Sequence, residues 1–222
     1  MNRQQSAFIH SAAVLSALTA IAFRNATAQL VAPTPKPSSA EAIAAAKADS
    51  IRRPYTKADI DFMAGMISHH SQAVAMAKEA ESHGASPSVV VYTGRVAMAQ
   101  TAEIGLMQTW LADRRQAVPD ADPNGMKMMM GGKSMMMTMP GMLTDEQMHM
   151  LDRARGPEWD RLFLTFMIQH HQGAIQMVET LINTPGAAQD EVVFKFSNDV
   201  QADQSTEIDR MKQMLDAMAR GN

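Results

Sequence analysis

Residues 59–76 read DIDFMAGMISHHSQAVAM, and residues 160–177 read DRLFLTFMIQHHQGAIQM. Asp59, Phe62, Met66, His69, His70, Ala73 and Met76 recur as Asp160, Phe163, Met167, His170, His171, Ala174 and Met177, at a constant offset of 101 residues. A second pair of stretches repeats in step. Gln100, Glu103, Ile104 and Met107 recur as Gln204, Glu207, Ile208 and Met211 at an offset of 104, so the intervening turn is three residues longer in the second copy. Two such duplicated helical hairpins predict an all-α chain, a pseudo-symmetric four-helix bundle joined by a crossover.

The boundaries follow from local signals. Thr56 is an N-cap for a helix from about Lys57 to His83, with Asp59 in its first turn and Gly84 at its end. Ser86-Pro87 opens a second helix to about Arg115, with Val89, Val96, Ile104, Met107 and Leu111 as its apolar stripe. The short link makes these two helices antiparallel neighbours. Thr144 and Gln147 form a capping-box pattern for a short helix to about Arg155. Gly156-Pro157 restarts a helix to about Asn183, and a last one runs from about Ala188 to Ala219. These elements define one domain, residues 56–219.

Residues 117–142 break the pattern. They hold Pro119, Pro123, Gly125, Gly131, Gly132, Pro140 and Gly141, and nine methionines: Met126, Met128, Met129, Met130, Met135, Met136, Met137, Met139 and Met142. No helical period is sustained, so a mobile Met-rich loop is expected.

The N-terminus reads differently. Arg3, the apolar run Ser11–Phe23 and Ala26-Thr27-Ala28 form a secretory signal, residues 1–28, with cleavage expected after Ala28. The apolar run is too short to span a bilayer, which takes about 20 residues, so no stable membrane insertion is expected after cleavage. Residues 29–55 read as a Pro-rich linker, Leu30–Ser39, and a short helix, Ala40–Ile51. Residues 29–222 keep 18 of the 20 basic and all 23 acidic residues, a formal charge of −5. That balance argues against nucleic acid as a partner. Cysteine is absent, which excludes disulfides, thiolate metal sites and thiol catalysis.

Composition has one anomaly, 22 methionines in 222 residues. Met98, Met107, Met211, Met214 and Met218 sit at helical spacing and read as core filler. The loop methionines do not; they suit soft-metal capture, or else a metal-free insert that serves as an oxidation sink. His149 lies between Met148 and Met150 and could add a ligand. In the repeat, at roughly 100° per residue, Phe62, His69, His70, Ala73 and Met76 fall within a sector of about 120° around Met66. This is the face to be buried, and buried imidazole needs a hydrogen bond or a metal. Adjacent His rings diverge, so Met66 with His70 and Met167 with His171, each i, i+4, are the better chelating pairs. Imidazole with thioether suits Cu(I) or Ag(I) and suits Mg²⁺ or Ca²⁺ poorly. Gln100, Glu103, Gln204 and Glu207 could orient the His rings around a metal, or complete a purely structural polar layer.

The doubled Phe-x-x-x-Met-x-x-His-His-x-x-Ala-x-x-Met pattern, with Pro140-Gly141-Met142 before the second copy, resembles the secreted ferritin-like proteins of the domain of unknown function DUF305, over about Lys57 to Met218. The resemblance implies a ferritin-like four-helix bundle in the periplasm or outside the cell, with copper binding and resistance among some members. On the matching positions it implies Met66, His69, His70, Met76, Met167, His170, His171 and Met177 as the site. The expected function is soft-metal binding, copper or silver, in sequestration, delivery or resistance. Metal ions and other copper-handling proteins are the expected partners, and no enzyme activity is expected. The alternatives are a metal-free interaction module and a metal-dependent oxidase. Di-iron bundles use Glu-x-x-His pairs, whereas Glu103 and Glu207 are followed three residues on by Leu106 and Arg210.

Overall fold

A computed structural model describes residues 54–221. The expected signal, linker and short helix at 40–51 lie outside the described residues. Five helices and one hairpin follow in order: α1 Lys57–Lys78, α2 Pro87–Asp113, β1 Met126–Met130, β2 Lys133–Met137, α3 Asp145–Arg153, α4 Pro157–Ile182 and α5 Glu191–Ala219. Both expected caps form. Thr56 and Asp59 make a reciprocal capping box at α1, and Thr144 and Gln147 make one at α3. Helix α1 ends at Lys78 rather than His83, and residues 79–84 continue as turns.

Helix α1 packs on α2, α4 on α5, and α1 on α4. Two apolar clusters form, each drawing on all four long helices. One joins Ala73 and Met76 to Val96, Trp159, Phe163, Met167 and Met211. The other joins Phe62, Met66 and Ile67 to Met107, Trp110, Ala174, Val178 and Phe196. The C-terminal half of α1 thus meets the N-terminal half of α4, and the reverse, so the two repeat helices run antiparallel.

The duplication is visible as a cross-brace. Asp59 of α1 accepts a bond from Ala188 N at 2.7 Å, in the turn before α5. Its counterpart Asp160 of α4 accepts from Ser86 N at 3.2 and 3.1 Å, in the turn before α2. Each half clasps the other half's turn. Both carboxylates are buried, and such charge-assisted bonds exceed neutral ones in strength.

Two expectations are corrected. Residues 126–137 are not an irregular loop, and the chain is not wholly helical. Met126 pairs with Met137, and Met130 with Lys133, in an antiparallel hairpin. Gly131 and Gly132 make its turn with φ of +56° and +79°, the left-handed conformations that two-residue hairpin turns require. Met98 is not core filler either: it points outward from α2, 73% exposed, whereas Met107 and Met211 are fully buried.

Candidate metal centre

Between the two apolar clusters lies a polar layer. His69, His70, His170 and His171 are all fully buried. Gln72, Gln100 and Gln204 are buried too, and Ser68 with them. Ring centroids of His69 and His70 are 6.2 Å apart, and those of His170 and His171 also 6.2 Å. The adjacent rings diverge as helical geometry requires. The close pair crosses between the halves: His69 and His170 lie 3.8 Å apart, centroid to centroid.

Each ring has one nitrogen turned to an oxygen. His69 Nε2 lies 3.0 Å from Pro140 O, and His170 Nε2 lies 3.0 Å from His69 O. A carbonyl only accepts, so both Nε2 atoms donate. His171 Nε2 donates to Glu207 Oε2 at 2.6 Å. His70 Nε2 lies 2.9 Å from Glu103 Oε2, off hydrogen-bond alignment. The consequence is at the opposite nitrogen. All four Nδ1 atoms are buried without a partner. In His69, His170 and His171, with the proton held on Nε2, Nδ1 presents a bare lone pair, the form in which neutral imidazole binds metal, whereas neither ring nitrogen of His70 has a hydrogen-bond partner. Both amide atoms of Gln100, Oε1 of Gln204 and Oγ of Ser68 are also buried and unpartnered.

Burial, and then the neighbouring His70, hold the His69 imidazole well below its ordinary pKa. Burial, then His69, His171 and His70, do the same to His170. These two rings are neutral at physiological pH. Beyond them, acidic side chains of α2 and α5 act on one another. Burial, followed by repulsion from Glu103, Asp199 and Glu207, raises the Asp203 carboxyl.

The expected thioethers are distributed unevenly. Met66, Met76 and Met167 are fully buried within the apolar clusters. Met177 is half-buried. It approaches Gly65 together with Met139 of the crossover: a Cβ on Gly65 would lie 2.8 Å from Met139 Sδ and 3.5 Å from Met177 Cε. Met142 Sδ accepts from Met139 N at 3.2 Å. His149 is exposed on α3, and the hairpin methionines lie outside the two apolar clusters. Among the described residues, no three His, Asp or Glu side chains converge as a metal-ligand set. No described helix is long and apolar enough to cross a membrane.

The crossover contributes residues that the repeat alone does not reveal. Pro140-Gly141 lies directly on α4 at Gly173, where a Cβ would meet Pro140 O at 2.0 Å. The first repeat carries Gln72 at the equivalent position. Its side chain accepts from Leu143 N at 2.6 Å and donates to Leu143 O at 3.2 Å. A strap over the His layer therefore rests on a glycine on one side and is held by a buried amide on the other. The mismatch Gln72 against Gly173, within an otherwise matching repeat, was the sequence signal for it.

The profile of DUF305, a domain of unknown function, matches residues 59–215. The chain belongs to the DUF305 family. A DUF305 protein from Streptomyces coelicolor is 27% identical, with 71% of this chain and 91% of that one covered and a TM-score of 0.60. CopM in its Cu(II)-bound form is 27% identical, with 72% and 97% covered and a TM-score of 0.57. Its Cu(I)-bound form is 25% identical, with 72% and 96% covered and a TM-score of 0.55. A DUF305 fragment from Deinococcus radiodurans, 20% identical with 72% and 97% covered and a TM-score of 0.59, shares the fold. No curated protein matches the chain. The DUF305 span takes in the crossover as well as the four long helices, so the strap and hairpin belong to the same unit as the His layer.

Proposed function

We propose that this protein is an exported soft-metal binding protein, a ferritin-like four-helix bundle that holds copper, or silver, at its central His layer for sequestration, delivery or resistance. One observation carries this reading: four buried imidazoles whose Nδ1 atoms have no partner. Leaving a buried polar group unsatisfied costs about 1–3 kcal/mol, and a repeated layer of them asks for an occupant. Imidazole nitrogen with the thioethers of Met66 and Met167 from adjacent turns is a donor set for Cu(I). Glu207 and Glu103, at the far nitrogens, would hold ring orientation and tautomer. The relative CopM, solved with Cu(II), Cu(I) and silver, supports the same choice of ion. Export rests on the signal-like residues 1–28, and the name of the Streptomyces coelicolor relative points to secretion as well. Binding rather than catalysis is the role proposed, with metal ions as the partner.

A second reading keeps the layer and removes the metal. His69 already bonds the strap and His170 already bonds α1, so the layer could serve fold specificity alone. Anaerobic Cu(I) titration against a competing chelator separates the two. Changing His69, His70, His170 and His171 together to Gln should abolish one bound equivalent, with single His70→Gln and His171→Gln variants weakening it at least tenfold. Unchanged stoichiometry and affinity in folded variants would leave the metal-free layer as the better account.

A further inference from the structure

The hairpin register places Met126 opposite Met137 and Met128 opposite Met135. Side chains alternate along a strand, so these four methionines share one face. Lys127, Met129, Ser134 and Met136 occupy the other. Burial follows the alternation on β1, where Met126 and Met128 are half-buried and Lys127 and Met129 exposed. Strand β1 packs on α1, so Met126 and Met128 turn toward the helices, while Met135, Met136 and Met137 of β2 are all exposed.

Packing does not explain these side chains. None of the four belongs to either apolar cluster, and Met135 and Met137 remain 53% and 39% exposed. Strand propensity does not explain them either, since β-branched and aromatic residues serve an edge hairpin better. What the four positions share is a thioether. Directly opposed residues on one face have Cβ atoms about 4.5–5.5 Å apart. An unbranched methionine with three rotatable bonds can bring sulfurs from neighbouring positions to one point. The glycine turn fixes the pairing before any ligand arrives, which lowers the ordering cost of binding.

We propose that the Met126, Met128, Met135 and Met137 face is a second soft-cation site, built from thioethers alone and independent of the His layer. It rests on the reading of the protein as a soft-metal binder and gives that reading a separate address. Neutral soft donors favour Cu(I) and Ag(I). Neither strand carries a carboxylate, and Lys133 stands at the turn end of the same face, so nothing there compensates a divalent charge.

Ag(I), which needs no reductant, is the probe. Purified protein and two variants are titrated while the methionine ε-methyl resonances are followed by NMR. The variant Met126→Leu/Met128→Leu/Met135→Leu/Met137→Leu should bind one Ag(I) fewer than the parent. The opposite-face variant Met129→Leu/Met136→Leu should bind as many as the parent. Met128→Leu/Met135→Leu, a milder change, should weaken that equivalent at least tenfold. Equal stoichiometry in the four-Leu variant would overturn the site, as would an equal loss in the opposite-face control. The four-His variant should retain the hairpin equivalent. If it binds Ag(I) like the parent, the His layer fails while the hairpin stands; if only the hairpin variants are silent, the hairpin fails alone.

Discussion

Gly173 and Gln72 occupy the same place in the two repeats and do opposite halves of one task. Gln72 grips the strap at Leu143, and Gly173 gives Pro140-Gly141 room to lie on α4. A methyl group at Gly173 would collide with backbone rather than with a flexible side-chain end. Gly173→Ala should destabilise the protein by about 1–3 kcal/mol, the usual range for overpacking, and should break the His69–Pro140 bond. A thermal melt and the His69 imidazole resonance check both effects; an unshifted melting temperature would mean the strap does not bear on the layer.

At the scale of elements, helix ends couple the halves. Asp190 caps α5 through Val192 N and Val193 N at 3.0 and 3.2 Å. It also accepts from Trp110 Nε1 at 3.0 Å and from Arg114 on α2. Burial opposes the Asp190 charge, yet bonds from Trp110 and Arg114 hold its carboxyl below the ordinary range. Asp190→Ala removes the cap and leaves Arg114 with an uncompensated buried charge. Breaking such a pair costs about 3–5 kcal/mol, so the denaturation midpoint should fall steeply. Asp190→Asn keeps part of the cap and should lose less; equal losses would assign the effect to charge alone. The hairpin is the other lesson at this scale. Gly131-Gly132 between two methionine runs is a two-residue turn signal, but strands of methionine and lysine lack the β-branched residues that announce a strand. Periodicity therefore pointed to a loop where the turn pointed to a hairpin.

For the whole molecule, the central layer sets the response to acid. His69 and His170 have folded-state pKa values below the unfolded value of about 6.5. Above that pH both states are neutral at these rings and stability is full. As pH falls below about 6.5 the unfolded chain takes up protons that the folded layer refuses, so stability drops. The melting temperature at pH 5.5 should lie below that at pH 7.5, and a His69→Gln/His170→Gln variant should flatten this slope. An identical slope in the variant would place the acid sensitivity elsewhere, but not at Glu79, whose carboxyl burial raises, so that it is the folded state that takes up its proton first as pH falls.

The sequence by itself determined the duplication, the four long helices, the capping boxes at Thr56 and Thr144 and the burial of the His pairs. Those properties are periodic and local: a 3.6-residue stripe, a capping box and a constant offset need no knowledge of the partner surface. Only the tertiary structure decided which rings meet. One helix shows that His69 and His70 diverge, but the 3.8 Å approach of His69 to His170 depends on how two antiparallel helices cross. The same holds for the strap on Gly173, the cross-brace from Asp59 and Asp160, and the bare Nδ1 atoms. Each depends on a partner about 30 to 130 residues away, set by packing rather than by spacing along the chain.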